Sequence, residues 1–181
     1  TPDIAAGALY DDTAGGTNAG SVVVFSGGSG AVLYKTVDPG GATSDYLGAV
    51  LAAVGDVDRD GITDFAAGAP NDDALGGSDA GSVVLFSGAS GALLRKLADP
   101  AGAANDRLGA AVAALPDVDG DGIPEVVAGA PQNDAAATDA GRVVVFSGAD
   151  GAVLQRFTDP AALGTDLLGT ALAAIGDLGG G

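Results

Sequence analysis

Gly20-Ser21-Val22-Val23-Val24-Phe25-Ser26-Gly27 returns as Gly81-Ser82-Val83-Val84-Leu85-Phe86-Ser87-Gly88 and again as Gly141-Arg142-Val143-Val144-Val145-Phe146-Ser147-Gly148, at offsets of 61 and 60 residues. An octapeptide recurring at a fixed period marks an array of like supersecondary units rather than one irregular core. The register extends outward. Asp38-Pro39, Asp99-Pro100 and Asp159-Pro160 keep it, as do Leu47-Gly48, Leu108-Gly109 and Leu168-Gly169, and then Asp56, Asp117 and Asp177.

Within one copy, four short apolar runs at 49–54, 65–67, 82–86 and 93–97 are bounded by turn residues. Four strands of this length make a propeller blade. The first run is small and Ala-rich, as suits an inner strand where blades converge. The third is β-branched, as suits a blade centre. The fourth carries Arg95 and Lys96 and reads as an outer, solvent-facing edge. The expectation is an all-β chain: a β-propeller of three four-stranded antiparallel blades, one domain over 1–181. Its repeats fall at approximately 1–55, 56–116 and 117–176, with 177–181 beginning a split loop.

The repeat is circularly permuted relative to the termini. Asp3-Ile4-Ala5-Ala6-Gly7-Ala8 matches Asp64-Phe65-Ala66-Ala67-Gly68-Ala69, while the chain stops inside an acidic loop. The terminal blade is therefore split, and residues 170–175 are expected to supply its missing inner strand. Propellers typically have about four to eight blades, so three call for further blades or further chains.

The strongest chemical signal lies between the first and second strands of a copy. Asp56-Val57-Asp58-Arg59-Asp60-Gly61-Ile62-Thr63-Asp64 and Asp117-Val118-Asp119-Gly120-Asp121-Gly122-Ile123-Pro124-Glu125 both read D-x-D-x-D-G-x-x-[DE]. Carboxylates at positions 1, 3 and 5 of a loop turned by a glycine at 6, with a carbonyl at 7, offer Ca2+ the hard oxygens it takes. The expected ligands are Asp56, Asp58, Asp60, the Ile62 carbonyl and Asp64 in one loop. In the other they are Asp117, Asp119, Asp121, the Ile123 carbonyl and Glu125. Position 12 is Ala67 or Ala128 rather than glutamate, which excludes an EF-hand. Two carboxylates about 5 Å apart repel by on the order of 3 kcal/mol at an effective dielectric of about 20, so such crowding calls for a cation. A third, degenerate site pairs Asp177 with Asp3, because Gly179 and Gly181 replace the other carboxylates.

Composition narrows the function classes. With 24 acidic and 7 basic residues the net charge is −17, which speaks against nucleic acid and anionic membranes as partners. No cysteine or histidine is present, removing Ser-His-Asp and Cys-His nucleophiles and the usual zinc sites. No apolar run approaches the roughly 18 residues of a membrane span. The tight carboxylate pairs belong to metal loops, so the chain reads as no enzyme.

On these residues the chain resembles the FG-GAP repeat family, the blade type of integrin α-subunit propellers and of many bacterial surface and secreted proteins. Gly68-Ala69-Pro70 and Gly129-Ala130-Pro131 carry the second half of the signature, each preceded by an acidic loop. Leu47-Gly48, Leu108-Gly109 and Leu168-Gly169 carry the first half with leucine for phenylalanine. The N-terminal copy departs further, with Gly7-Ala8-Leu9. The resemblance implies a propeller, usually of seven blades, with structural calcium on one face and partner-binding loops on the other. The functional expectation is an extracellular or cell-surface module of bacterial type, structural or adhesive, stiffened by calcium. It would join further copies as a homo-oligomer or polymer, or further blades of a longer chain. The alternative is a ligand-binding domain of a larger surface protein, taking protein or glycan through loops 71–80 and 132–140, which carry Asp72, Asp73, Asp134 and Asp139.

Overall fold

The structure is a computed structural model, and it describes residues 1–176. All its regular elements among those residues are strands. The first sheet is β1 (Ile4–Ala8), β2 (Ser21–Phe25) and β3 (Val32–Thr36). The second is β4 (Val50–Gly55), β5 (Asp64–Ala69), β6 (Ser82–Phe86) and β7 (Leu93–Leu97). The third is β8 (Ala111–Leu115), β9 (Glu125–Ala130), β10 (Arg142–Phe146) and β11 (Val153–Phe157). Each sheet is an antiparallel meander in chain order, so the expected blades form with three, four and four strands.

The blades stack because their central strands are apolar on both faces. All of β5, β6 and β9 is buried, which is why these strands read as continuous apolar runs rather than as alternation. Pleating then sorts the side chains. Phe65, Ala67, Val84 and Phe86 pack toward the first blade with Val22 and Val24. Ala66, Val83 and Leu85 pack toward the third blade with Val126, Ala128, Val144 and Phe146. The core is thus two interblade layers, and the small β4 and β8 meet on the inner side.

The Leu-Gly and Gly-Ala-Pro pieces of the repeat turn out to be two halves of one lock. Leu47 and Leu108 are buried and bridge Gly20 and Gly81 of the preceding blade. The glycine that follows takes φ +86° at Gly48 and +88° at Gly109, and its N–H donates to the Gly68 or Gly129 carbonyl. Neither Gly7, Gly68 nor Gly129 has room for a side chain, because a Cβ there would collide with the carbonyl of Gly48, Gly109 or Gly169.

Two expectations change. Arg95 does not face solvent: although β7 is the outer strand, the guanidinium crosses to the carbonyls of Gly148 and Ala149 in the next blade. Tyr34, at the same repeat position, donates to the Gly88 carbonyl at 2.6 Å. Long polar-tipped side chains at the outer edge therefore staple one blade to the next hairpin. Residues 170–175 form no strand. They follow the third blade with Leu172 against Val127, Val143 and Val145, whereas the blade lacking an inner strand lies on the far side of the second. With no strand edge beside it, that segment has nothing to pair with.

Candidate metal centre

Both acidic loops cross from the inner strand to the buried second strand, and the residue that closes each loop is the first of that strand. Asp64 and Glu125 are both fully buried. Asp64 holds its place by accepting Val57 N–H at 2.8 Å on Oδ2 and Gly88 N–H at 2.9 Å on Oδ1. Asp56 and Asp117 do the same from the loop's start. Asp56 accepts the N–H groups of Asp60 and Gly61 at 3.0 and 2.9 Å, and Asp117 those of Gly120 and Gly122 at 2.7 and 2.9 Å. These bonds curl the chain, and Gly61 and Gly122 take the left-handed φ the curl needs, +88° and +83°.

The result is convergence. Asp56, Asp58 and Asp64 bring carboxylate oxygens within 4.8 Å of one another, and Asp117, Asp119 and Glu125 do likewise. Asp60 and Asp121 are not in those groups; each turns an oxygen back to the N–H two residues on, Ile62 or Ile123, at 2.7 Å. Ile62 is exposed and Ile123 buried. Of the degenerate site, Asp3 occupies the place of Asp64, accepting Gly27 N–H at 3.0 Å, and Asp177 lies outside the described residues.

Glu125 carries the sharpest sign that a cation fits. Its Oε2 accepts Val118 N–H at 3.0 Å, but its buried Oε1 has no hydrogen-bond partner. A buried, unsatisfied carboxylate oxygen is costly unless a cation completes it. Burial, and then the charges of Asp119 and Asp117, push the Glu125 pKa above the usual carboxylate range against the Val118 bond. Asp58 is raised likewise, by desolvation and then by Asp64, Asp60 and Asp56. A hard cation held between these carboxylates would favour their ionised forms and so oppose both shifts. Arg59 does not serve as that counter-charge: its Nη2 donates to the Asp121 carbonyl at 2.8 Å, tying one acidic loop to the next.

The acidic loops on the other face are differently built. Asp73 and Asp134 accept the N–H of Asp79 and Asp139 at 3.0 and 2.8 Å, closing their own turns. Asp72 is buried against Lys96, whose ammonium also pairs with Asp38 at 2.9 Å. In the next junction Asp99 takes both Arg142 and Arg156, while Asn133 donates to Asp106 at 2.6 Å. These ion pairs and the Asn133–Asp106 bond escaped sequence reading because their members lie 24–58 residues apart, and only the repeat register of Asp38 with Asp99, and of Asp45 with Asp106, hints at them.

Comparison with known proteins agrees with this geometry. Residues 47–86 and 108–146 match the FG-GAP repeat, each span running from a Leu-Gly lock through an acidic loop to the central strand. Over 173 residues, 89% of this chain, the sequence is 32% identical to integrin alpha-2 of Mus musculus, and it spans 14% of that relative's length.

Proposed function

From the premise that this chain carries FG-GAP repeats of integrin α type, we propose that it is an adhesion-type module rather than an enzyme, and a calcium-braced scaffold. On this reading it works outside the cell or on its surface and assembles through its open blades into a ring or fibre. The observation that carries the calcium part is the buried, partnerless Glu125 Oε1 beside Asp117 and Asp119. Asp56, Asp58 and Asp64 would hold one Ca2+ and Asp117, Asp119 and Glu125 another, with Asp60, Asp121 and the carbonyls of Ile62 and Ile123 completing the shells. Bound calcium supplies charge neutralisation and a rigid crosslink at the start of each buried second strand. That link ties inner strand to blade centre, which stiffens the blade against bending.

Such loops fill where calcium is near millimolar, which favours a secreted or surface setting; the cysteine-free, strongly acidic composition agrees with a bacterial exoprotein. Calorimetric titration of the chelated protein tests the site. Two calcium sites are expected in the wild type and one in Glu125→Gln. Saturation at a hundredfold over Kd should raise stability by about 2.7 kcal/mol per site. Absence of binding heat together with an unchanged melting temperature would refute the calcium reading.

A further inference from the structure

Resting on the calcium part of that reading, we infer that Arg59 couples the two metal loops, so that a cation held in either loop strengthens the hold of the other. Arg59 is a positioning residue in this role and ligates nothing itself.

The backbone singles Arg59 out. Ten non-glycine residues among those described take a left-handed φ, and nine of them fall in three sets that recur in every copy, as Asn18, Asp79 and Asp139 do. A conformation repeated in every copy belongs to the fold. Arg59, at φ +64°, is the tenth, and its repeat equivalent is Gly120, at +86°. Position 4 of the acidic loop thus asks for a left-handed backbone, which glycine adopts freely and arginine does not. A residue held in such a conformation points to a use for its side chain.

That use lies in the next blade. Arg59 Nη2 donates to the Asp121 carbonyl at 2.8 Å, across 62 residues of chain. It also lies over Gly122, where a Cβ would stand 3.5 Å from it. Asp121 is a proposed ligand residue of the second loop, and Arg59 is flanked by Asp58 and Asp60, proposed ligand residues of the first. The bond therefore runs from between two ligands of one site to the peptide of a ligand of the other. Two further contacts lie on the same boundary. A Cβ on Gly55, immediately before Asp56, would meet Pro124 Cγ at 2.8 Å, and Pro124 immediately precedes Glu125. Val57 and Ile123 are buried in one core cluster.

Coupling follows from the charge in an empty loop. Asp58 is exposed and faces the charges of Asp64, Asp60 and Asp56, which repel it. Neutralising them fixes residues 58–60, holds Arg59 at its left-handed φ and keeps its guanidinium on the Asp121 carbonyl. The second loop then starts with that peptide already oriented and gives up less freedom on filling. By linkage the second loop favours the first by the same factor. The guanidinium's own charge opposes a cation in the second loop, but Arg59 is exposed, so salt screens that repulsion.

Calorimetric titration of the chelated proteins with Ca2+ at physiological salt measures the coupling. The wild type is compared with Asp58→Asn plus Asp60→Asn, and with Asp119→Asn plus Asp121→Asn, each with and without Arg59→Gly. Asparagine keeps the side-chain oxygens that curl each loop and removes their charge, so each pair should leave one site. The product of the two wild-type association constants over the product of the two single-site constants is the coupling factor. The charge lost with the asparagines enters both backgrounds alike. The factor should be about tenfold larger with Arg59 than with Arg59→Gly. Arg59→Gly should still take up two ions, and its chelated form should keep its urea midpoint within a few tenths of a molar, because relief of the left-handed backbone offsets the lost bond. A factor that Arg59→Gly leaves unchanged or raises would overturn the coupling while the calcium sites stand, and a lowered midpoint beside an unchanged factor would assign Arg59 to folding alone. No calcium uptake by the wild type would overturn both readings.

Discussion

Substituting Gly68 by alanine isolates the interblade lock, because Gly68 has ordinary strand backbone and only space forbids the methyl group. A Cβ there would collide with the Gly109 carbonyl and stand 2.7 Å from the Val50 side chain. Val50 can rotate; the Gly109 carbonyl belongs to the backbone that starts β8. Overpacking costs typically about 1–3 kcal/mol, and a rigid neighbour puts this site at the upper end. Moving Gly109 also strains its N–H bond to Gly129, worth about 1 kcal/mol more. The expected loss is about 3–4 kcal/mol. Gly30→Ala is the control, since its Cβ meets nothing within 4 Å but its φ is +72°, so only the left-handed backbone is charged, at about 1 kcal/mol. Gly129→Ala should fall between them, because the carbonyl it strikes is that of Gly169, whose following segment is unpaired and can yield. Urea unfolding followed by far-UV circular dichroism, at fixed calcium, reads all three. If Gly68→Ala is no worse than Gly30→Ala, the Leu-Gly and Gly-Ala-Pro pieces are not halves of a lock.

Two further predictions concern the junction charges. Asp45 and Asp72 are both buried where the next junction has Asp106 and Asn133, and burial first, with Asp72 and Asp38 adding to it, raises the Asp45 pKa against the Ala42 bond and Lys96. A folded pKa above the unfolded value means stability rises as pH falls through the interval between them. Asp72→Asn supplies the donor that Asn133 gives Asp106. It should abolish that gain on acidification, and at pH 7 the new bond to Asp45 should offset, to within about 1 kcal/mol, the lost Lys96–Asp72 pair; thermal melts from pH 7 to 3 would show a wild-type profile unchanged by the substitution if the pairing is wrong. Asp99 behaves oppositely: burial raises its pKa, but the hydrogen bonds and charge of Arg156, with Ala101 and Arg142, outweigh it and lower the value. Its contribution is present above the unfolded pKa and is lost as pH falls through the folded one. Arg156→Met should therefore cost about 1–2 kcal/mol at pH 7, a value discounted because the guanidinium is partly in water and Arg142 remains; the deficit should shrink below pH 4, and a pH-independent loss in urea titrations would instead indicate packing.

The amino-acid sequence by itself determined the repeat, the four strands of a blade and the two acidic loops, because each is a local pattern. Val83-Val84-Leu85 reads as a strand buried on both faces, and D-x-D-x-D-G curls on itself through side-chain to backbone bonds spanning two to seven residues. The tertiary structure alone decided what joins one blade to the next. Arg95 looked like a solvent-facing edge residue because nothing within its own strand shows the Gly148 carbonyl 53 residues away. The recurring glycines read as turns in the sequence, whereas Gly68 and Gly109 touch across a blade boundary. The fate of 170–175 was decided the same way. Its sequence is that of an inner strand, but a strand is defined by the edge it pairs with, and in this chain that edge, β1, lies beyond the neighbouring blade.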